Sequence, residues 1–184
     1  MGTTTIIVLA VLVIVALVAV SLYNRLQVLD NRVNNAFAQV DVQLKRRNDL
    51  IPNLVNTVKG YAAHESGVFD RVTAARERMM VASDVPEKAK ASGELSQALG
   101  RLLAVAEAYP DLKANQNFLA LQKELSDTEQ KIAYSRQFYN DTVLELNNAV
   151  TTVPGVFMAG FAGKKTRAMF EATDADRAVP QVSF

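Results

Sequence analysis

The chain has 184 residues, 20 basic and 19 acidic, with a formal net charge of +1 and no cysteine. Interspersed, balanced charge argues against a nucleic-acid surface, which carries a strong basic excess, and the missing thiols exclude disulfides, thiolate metal sites and a cysteine nucleophile. Eight glycines and five prolines are too few for a loop-rich fold, and the abundance of Ala, Leu, Val, Gln, Lys and Glu is that of a helical protein.

The chain opens on an unbroken apolar run, Ile6–Val20, and no charged side chain precedes Arg25. A hydrocarbon core roughly 30 Å thick needs about 20 mostly apolar residues as a helix, which Thr4–Tyr23 supplies, with Tyr23 where an interfacial aromatic belongs. A cleaved signal peptide would carry a charged n-region and a small-x-small cleavage site. Met1–Thr5 has no side-chain charge, and Val20-Ser21-Leu22-Tyr23 is a poor cleavage site. The basic residues lie after the run, at Arg25, Arg32, Lys45, Arg46 and Arg47. The positive-inside rule then puts the N-terminus outside and the main domain in the cytoplasm, single-pass in the cell (inner) membrane.

From Asn24 the apolar residues Leu26, Leu29, Val33, Phe37, Val40 and Leu44 recur in steps of three and four, the seam of a bundle helix. Asp49-Leu50-Ile51-Pro52 reads as a first break, since proline lacks an amide donor and disfavours the α conformation before it. The heptad phase nevertheless runs on through Ile51, Val58, Glu65, Val72 and Met79, so one kinked helix over 24–81 is the alternative. A third helix begins after Ser83-Asp84-Val85-Pro86, with Asp84 as cap and Leu95, Leu99, Leu102, Leu103 and Ala106 as seam. Asp111 opens the last helix, whose seam includes Phe118, Leu121, Leu125, Ile132, Tyr139, Leu146 and Val150, and Val153-Pro154-Gly155 ends it. The expected fold is all-α: a transmembrane helix over 1–23, an extended antiparallel up-down bundle over 24–153, and a Gly/Phe/Lys segment with tail over 154–184. Four helices are preferred to three, because a helix running from 24 to 81 leaves much of its seam uncovered.

Three segments are more specific than the helical spacing: Arg32–Val55 with Val58-Lys59-Gly60-Tyr61, Tyr109–Phe118, and Ala133–Asp141. With the N-terminal span, the Pro-Gly segment and the closing Phe170-Glu171-Ala172 and Val182-Ser183-Phe184, they resemble the LemA family of bacterial membrane proteins. Phe37 stands where many members have tryptophan. The resemblance implies an extended helical bundle behind an N-terminal anchor, with the short N-terminus outside, and implies no established catalytic activity.

Chemistry-bearing constellations are sparse. His64, the single histidine, has Glu65 beside it in sequence but about 100° around a helix from it, so a general-acid pair is not formed. Asp41, Asp49, Asp111, Glu124 and Asp141 make no Glu-x-x-His pair of the kind that di-metal bundles use. No catalytic, cofactor or metal site is expected. Lys45, Arg46 and Arg47, with Asn48, Asp49 and Asn53, form a candidate partner surface; the plainer reading is a solvated helix C-terminal cap. Asn recurs along the helices, either exposed or buried to set register. Phe157, Met158 and Phe161, with Lys164, Lys165 and Arg167, are candidate membrane-interface contacts, or else the apolar residues cap the open end of the bundle. The function expected is a non-enzymatic, membrane-anchored scaffold presenting a cytoplasmic surface to membrane or cytoplasmic proteins, as a homo-oligomer. An enzyme accessory and a membrane-remodelling protein are the alternatives.

Overall fold

A computed structural model describes residues 2–62 and 64–170. The closing motif from Glu171 to Phe184 lies outside the described residues. The elements are all helical: α1 Thr3–Lys59, α2 Ser66–Val81, α3 Val85–Glu107, α4 Pro110–Lys113, α5 Gln116–Thr151 and α6 Gly155–Phe161. Two compact units share α1 and α5. The first comprises residues 2–38 with Phe138–Ala168, the second Gln39–Gln137 with Met169 and Phe170.

The break expected at Asp49–Pro52 is absent: α1 is one helix of 57 residues with Pro52 inside it. Pro52 has no N–H to give the Asn48 carbonyl four residues back. Arg76 of α2 replaces that donor, its Nε reaching the Asn48 carbonyl oxygen at 3.2 Å. Leu44, Ile51, Leu54 and Val58 stay buried on both sides of the proline, so the seam holds where the backbone ladder lapses. The first turn comes instead after Lys59. There the heptad phase brings the charged, exposed Glu65 to a core position, and a helix carried on would bury a carboxylate.

The second unit packs five helical segments: the end of α1, α2, α3, the short α4 with its buried Leu112, and the start of α5. The four expected helices correspond to the long ones, with the first turn moved from Pro52 to beyond Lys59. α1 and α5 run antiparallel, with Tyr61 hydrogen-bonded to Asn115 and Arg47 to Glu129. α2 and α3 are joined by Ala82–Asp84 and tied by Arg78 and Glu94 at 2.6 Å. Asp84 caps α3, accepting from the Glu87 amide at 2.8 Å, while Glu87 accepts from the Ser83 amide at 3.0 Å. That amide, with the Ser83 hydroxyl, holds the Glu87 carboxyl below its usual range. Asp111 does not open the last long helix. It lies in the short α4, and Asn115 caps α5 by accepting from the Phe118 amide at 3.1 Å.

In the first unit, α1 from Leu26 onward pairs with residues 138–151 of α5. Arg32 faces Glu145 at 3.9 Å, and the Phe37 and Tyr139 rings lie 5.9 Å apart. Leu26, Leu29, Val33, Ala36, Val143, Leu146 and Val150 fill the seam. Val153-Pro154, a cis peptide, and Gly155 then turn the chain into α6. The Ile6–Val20 stretch has no buried residue among those described: its large apolar side chains are about half exposed or more, and the most apolar window of this helix, mean hydropathy 3.2, has none of its residues buried.

Candidate functional site

The tip residues separate by helix face. Lys45, Arg46, Asp49 and Asn53 are exposed, whereas Arg47 and Asn48 are buried. The cap reading has no terminus to act on, because α1 continues to Lys59. Arg46 pairs with Glu124 at 2.9 Å. Arg47 falls on the seam, three residues after Leu44 and four before Ile51, and its guanidinium is received by polar groups of α3 and α5. Nη1 donates to Glu129 Oε1 at 2.7 Å and to the Ser96 hydroxyl at 3.1 Å, and Nη2 donates to the Ser92 hydroxyl at 2.6 Å. Of its nitrogens, only Nε lacks a partner among the described residues. A buried arginine is tolerable only when so received.

Beside this cluster, within the second unit, lies a cleft of about 250 Å³ lined by Lys45, Asn48, Asp49, Met79, Met80 and Lys88 among others. Lys88 is ion-paired with Asp41. Asn48 Oδ1 is buried there without a hydrogen-bond partner among the described residues. Met80, 63% exposed, gives the rim an adaptable apolar contact.

In the first unit the candidate membrane contacts are placed by a clasp. Gly163, at φ +65°, closes α6 with its own amide on the Gly160 carbonyl and the Lys164 amide on the Ala159 carbonyl, at 3.2 and 2.9 Å. This left-handed cap, for which glycine is suited, redirects the chain along α1 and α5. Lys164 Nζ then reaches one carboxylate oxygen of Asp30 at 2.7 Å and Arg167 Nη2 the other at 2.8 Å. The Lys164 hydrogen bond, aided by Arg167 and opposed by burial, holds the Asp30 carboxyl below its ordinary range. Asn147 clamps the Arg167 backbone on both sides, its Nδ2 donating to the carbonyl at 3.0 Å and its Oδ1 accepting from the amide at 2.8 Å. Tyr139 donates to the Ala168 carbonyl at 2.9 Å. Burial raises its phenol above the usual range, against the pull of Arg167, so it remains an O–H donor at neutral pH.

Lys164 and Arg167 are thus committed to Asp30, while Lys165 is exposed. Phe157 and Phe161 are 72% and 89% exposed, and Met158 is half-buried. The sequence gives Asp30 no mark, and Asn147 none beyond its place among the helical asparagines. The ion pair closes over 134 residues, and spacing along one helix carries no sign of it. His64 is exposed in the turn between α1 and α2, and no three His, Asp or Glu side chains among the described residues are grouped to hold a metal.

A model of the LemA family matches residues 36–184. The chain is 27% identical over 192 residues to Magnetosome protein MamQ 2 of Paramagnetospirillum magneticum, covering 89% of this chain and 71% of that one. It is 26% identical over 171 residues to Magnetosome protein MamQ of Magnetospirillum gryphiswaldense, covering 77% and 63%. It is 24% identical over 148 residues to Protein LemA of Metamycoplasma hominis, covering 80% and 68%.

Proposed function

The chain belongs to the LemA family, and we propose that this membrane-associated helical protein is a non-enzymatic scaffold. Its Ile6–Val20 segment crosses the bilayer once, and its second unit offers the Lys45–Asn48–Asp49 cleft to protein partners. The observation that carries the reading is the fully uncovered apolar stretch of α1. A helix apolar all round and packed on nothing is stable in lipid and costly in water. Charge asymmetry across the stretch supports an outside N-terminus and a cytoplasmic bundle in the inner membrane. The cleft's mixed charges and exposed methionine suit a protein surface, and the anchor would raise the effective concentration of partners held in the same membrane. The names of the relatives denote no reaction. Partners include further copies of the chain.

The absence of cysteine makes single-cysteine labelling clean. Thr3→Cys should react with an impermeant maleimide on intact inner-membrane spheroplasts, and Ser66→Cys only after permeabilisation. The reverse pattern, or equal labelling, would overturn the topology. A photo-crosslinker at Lys45 or Met80 should capture protein in native membranes, and no adduct from either position would remove the docking role.

A further inference from the structure

A second cleft, wholly within the first unit, lies directly after the apolar stretch. It measures about 280 Å³ and is lined by Leu22, Arg25, Glu145, Asn148, Thr152 and Pro154 among others. We propose that this cleft seats the headgroup of an ethanolamine phospholipid, with the phosphate on Arg25 and the primary ammonium on Glu145 and Asn148. The inference rests on the reading that Ile6–Val20 spans the bilayer.

Position is the first argument. Arg25 is the first charged residue after the apolar run, so in a spanning helix it stands at headgroup depth. Leu22, on the same wall, leads into the run, which gives acyl chains an apolar path away from the cleft. α6 adds a wedge at the same end: Gly155 lines the cleft and opens that helix. Phe157 and Phe161, four residues apart on one helical face, are both largely exposed. Two such rings are favoured in the interfacial layer and unfavourable in water.

Chemistry selects the headgroup. The cleft presents one cation and one anion, and they are not an ion pair with each other. Arg25 is ion-paired with no acid among the described residues, and Glu145 has only Arg32, at 3.9 Å. A headgroup carrying phosphate and ammonium two carbons apart satisfies both walls. An anionic headgroup satisfies Arg25 and is repelled by Glu145. Of the basic residues beyond α6, Lys164 and Arg167 are held by Asp30, and Lys165 does not line the cleft. A choline headgroup has the same charges and no N–H to donate, so Glu145 and the Asn148 side-chain carbonyl discriminate against it by hydrogen bonding.

The test uses the full chain in nanodiscs of equal phosphatidylethanolamine, phosphatidylglycerol and phosphatidylcholine, extracted in mild detergent, with retained lipid counted by native mass spectrometry. Ethanolamine lipid should be enriched about ten-fold over choline lipid, the value of one charge-assisted hydrogen bond. Glu145→Gln should abolish that preference, Glu145→Asp should restore part of it, and Arg25→Gln should lower retention of all three lipids. Retention that mirrors the bilayer composition, a preference for the glycerol lipid, or an unchanged ratio in Glu145→Gln would each overturn the assignment. The chain has no tryptophan, so Leu12→Trp reports separately on the span through quenching by deep brominated acyl chains. Quenching there without ethanolamine preference defeats the headgroup site alone; no quenching defeats the membrane reading and the site with it. Phe157→Trp should be quenched by shallow bromines, and its failure to be quenched would remove the wedge.

Discussion

Arg47 of α1 and Glu129 of α5 meet at 2.7 Å across 82 residues of sequence, the arginine side chain 1% exposed and the glutamate 40%. The pair therefore opens to water on one side only. Glu129→Ala should destabilise the chain by about 2 kcal/mol, because the guanidinium keeps Ser92 and Ser96 but loses its counter-charge. Arg47→Ala should cost more, about 3 kcal/mol, since it leaves a cavity and two unserved hydroxyls. Arg47→Met should cost less than Arg47→Ala, because its chain fills the cavity while leaving the same two hydroxyls unserved. Urea unfolding of the full chain in detergent, followed by circular dichroism, orders the three.

The substitute donor at Pro52 predicts a coupling. Arg76→Ala should cost about 1 kcal/mol while Pro52 is present, because the buried Asn48 carbonyl is then left without a donor. In a Pro52→Ala background the restored backbone amide serves that carbonyl, and the same Arg76 change should cost only a few tenths. A double-mutant cycle reads the difference directly, and equal costs in the two backgrounds would dismiss the substitution of one donor for the other.

Acid should open the clasp. The Asp30 carboxyl is held below its ordinary value of 3.8. A depressed folded pKa contributes stability that is fully present above the unfolded value and is lost as the pH falls through the folded one. Protection of the Arg167 amide against hydrogen exchange should be flat from pH 7 to about 5 and fall below about 4. Asp30→Asn should lower that protection at pH 7 and remove its acid dependence.

Gly155 and Gly163 are constrained for different reasons. A Cβ at Gly155 would run into the Ala149 carbonyl oxygen, so Gly155→Ala must displace the α5–α6 junction, at about 1–3 kcal/mol by the overpacking rule. Gly163 has open space around it and a φ of +65°, so Gly163→Ala should cost about 1 kcal/mol for the left-handed backbone alone. Asn, tolerant of that conformation, should recover part of the loss at 163 and none at 155. Thermal unfolding of the four variants tests the contrast.

Helical spacing located most of the seam, because a period near 3.5 puts Leu26, Leu29, Val33, Val40, Leu44, Ile51, Leu54 and Val58 on one face whatever they pack against. It misled at Pro52, where a local breaker rule was outweighed by a side chain 24 positions further along. Arg47 was open to detection: its place in the three-four rhythm marks it as interior, and its charge argued the opposite. The Asp30 clasp had no such mark, since its partners are brought to it by the return of α5 and the cap at Gly163. Both clefts likewise depend on which helices become neighbours, and that is decided by the end of α1 after Lys59 and the turn at Val153–Gly155.

The Asn147 clamp grips main chain, not side chain. Residue 167 is therefore held by what every amino acid but one possesses, an amide proton and a carbonyl. Drift at this position should be permissive, with alanine, serine or glutamine keeping the segment in register and losing only the second cation on Asp30. Proline is the single replacement that the clamp forbids.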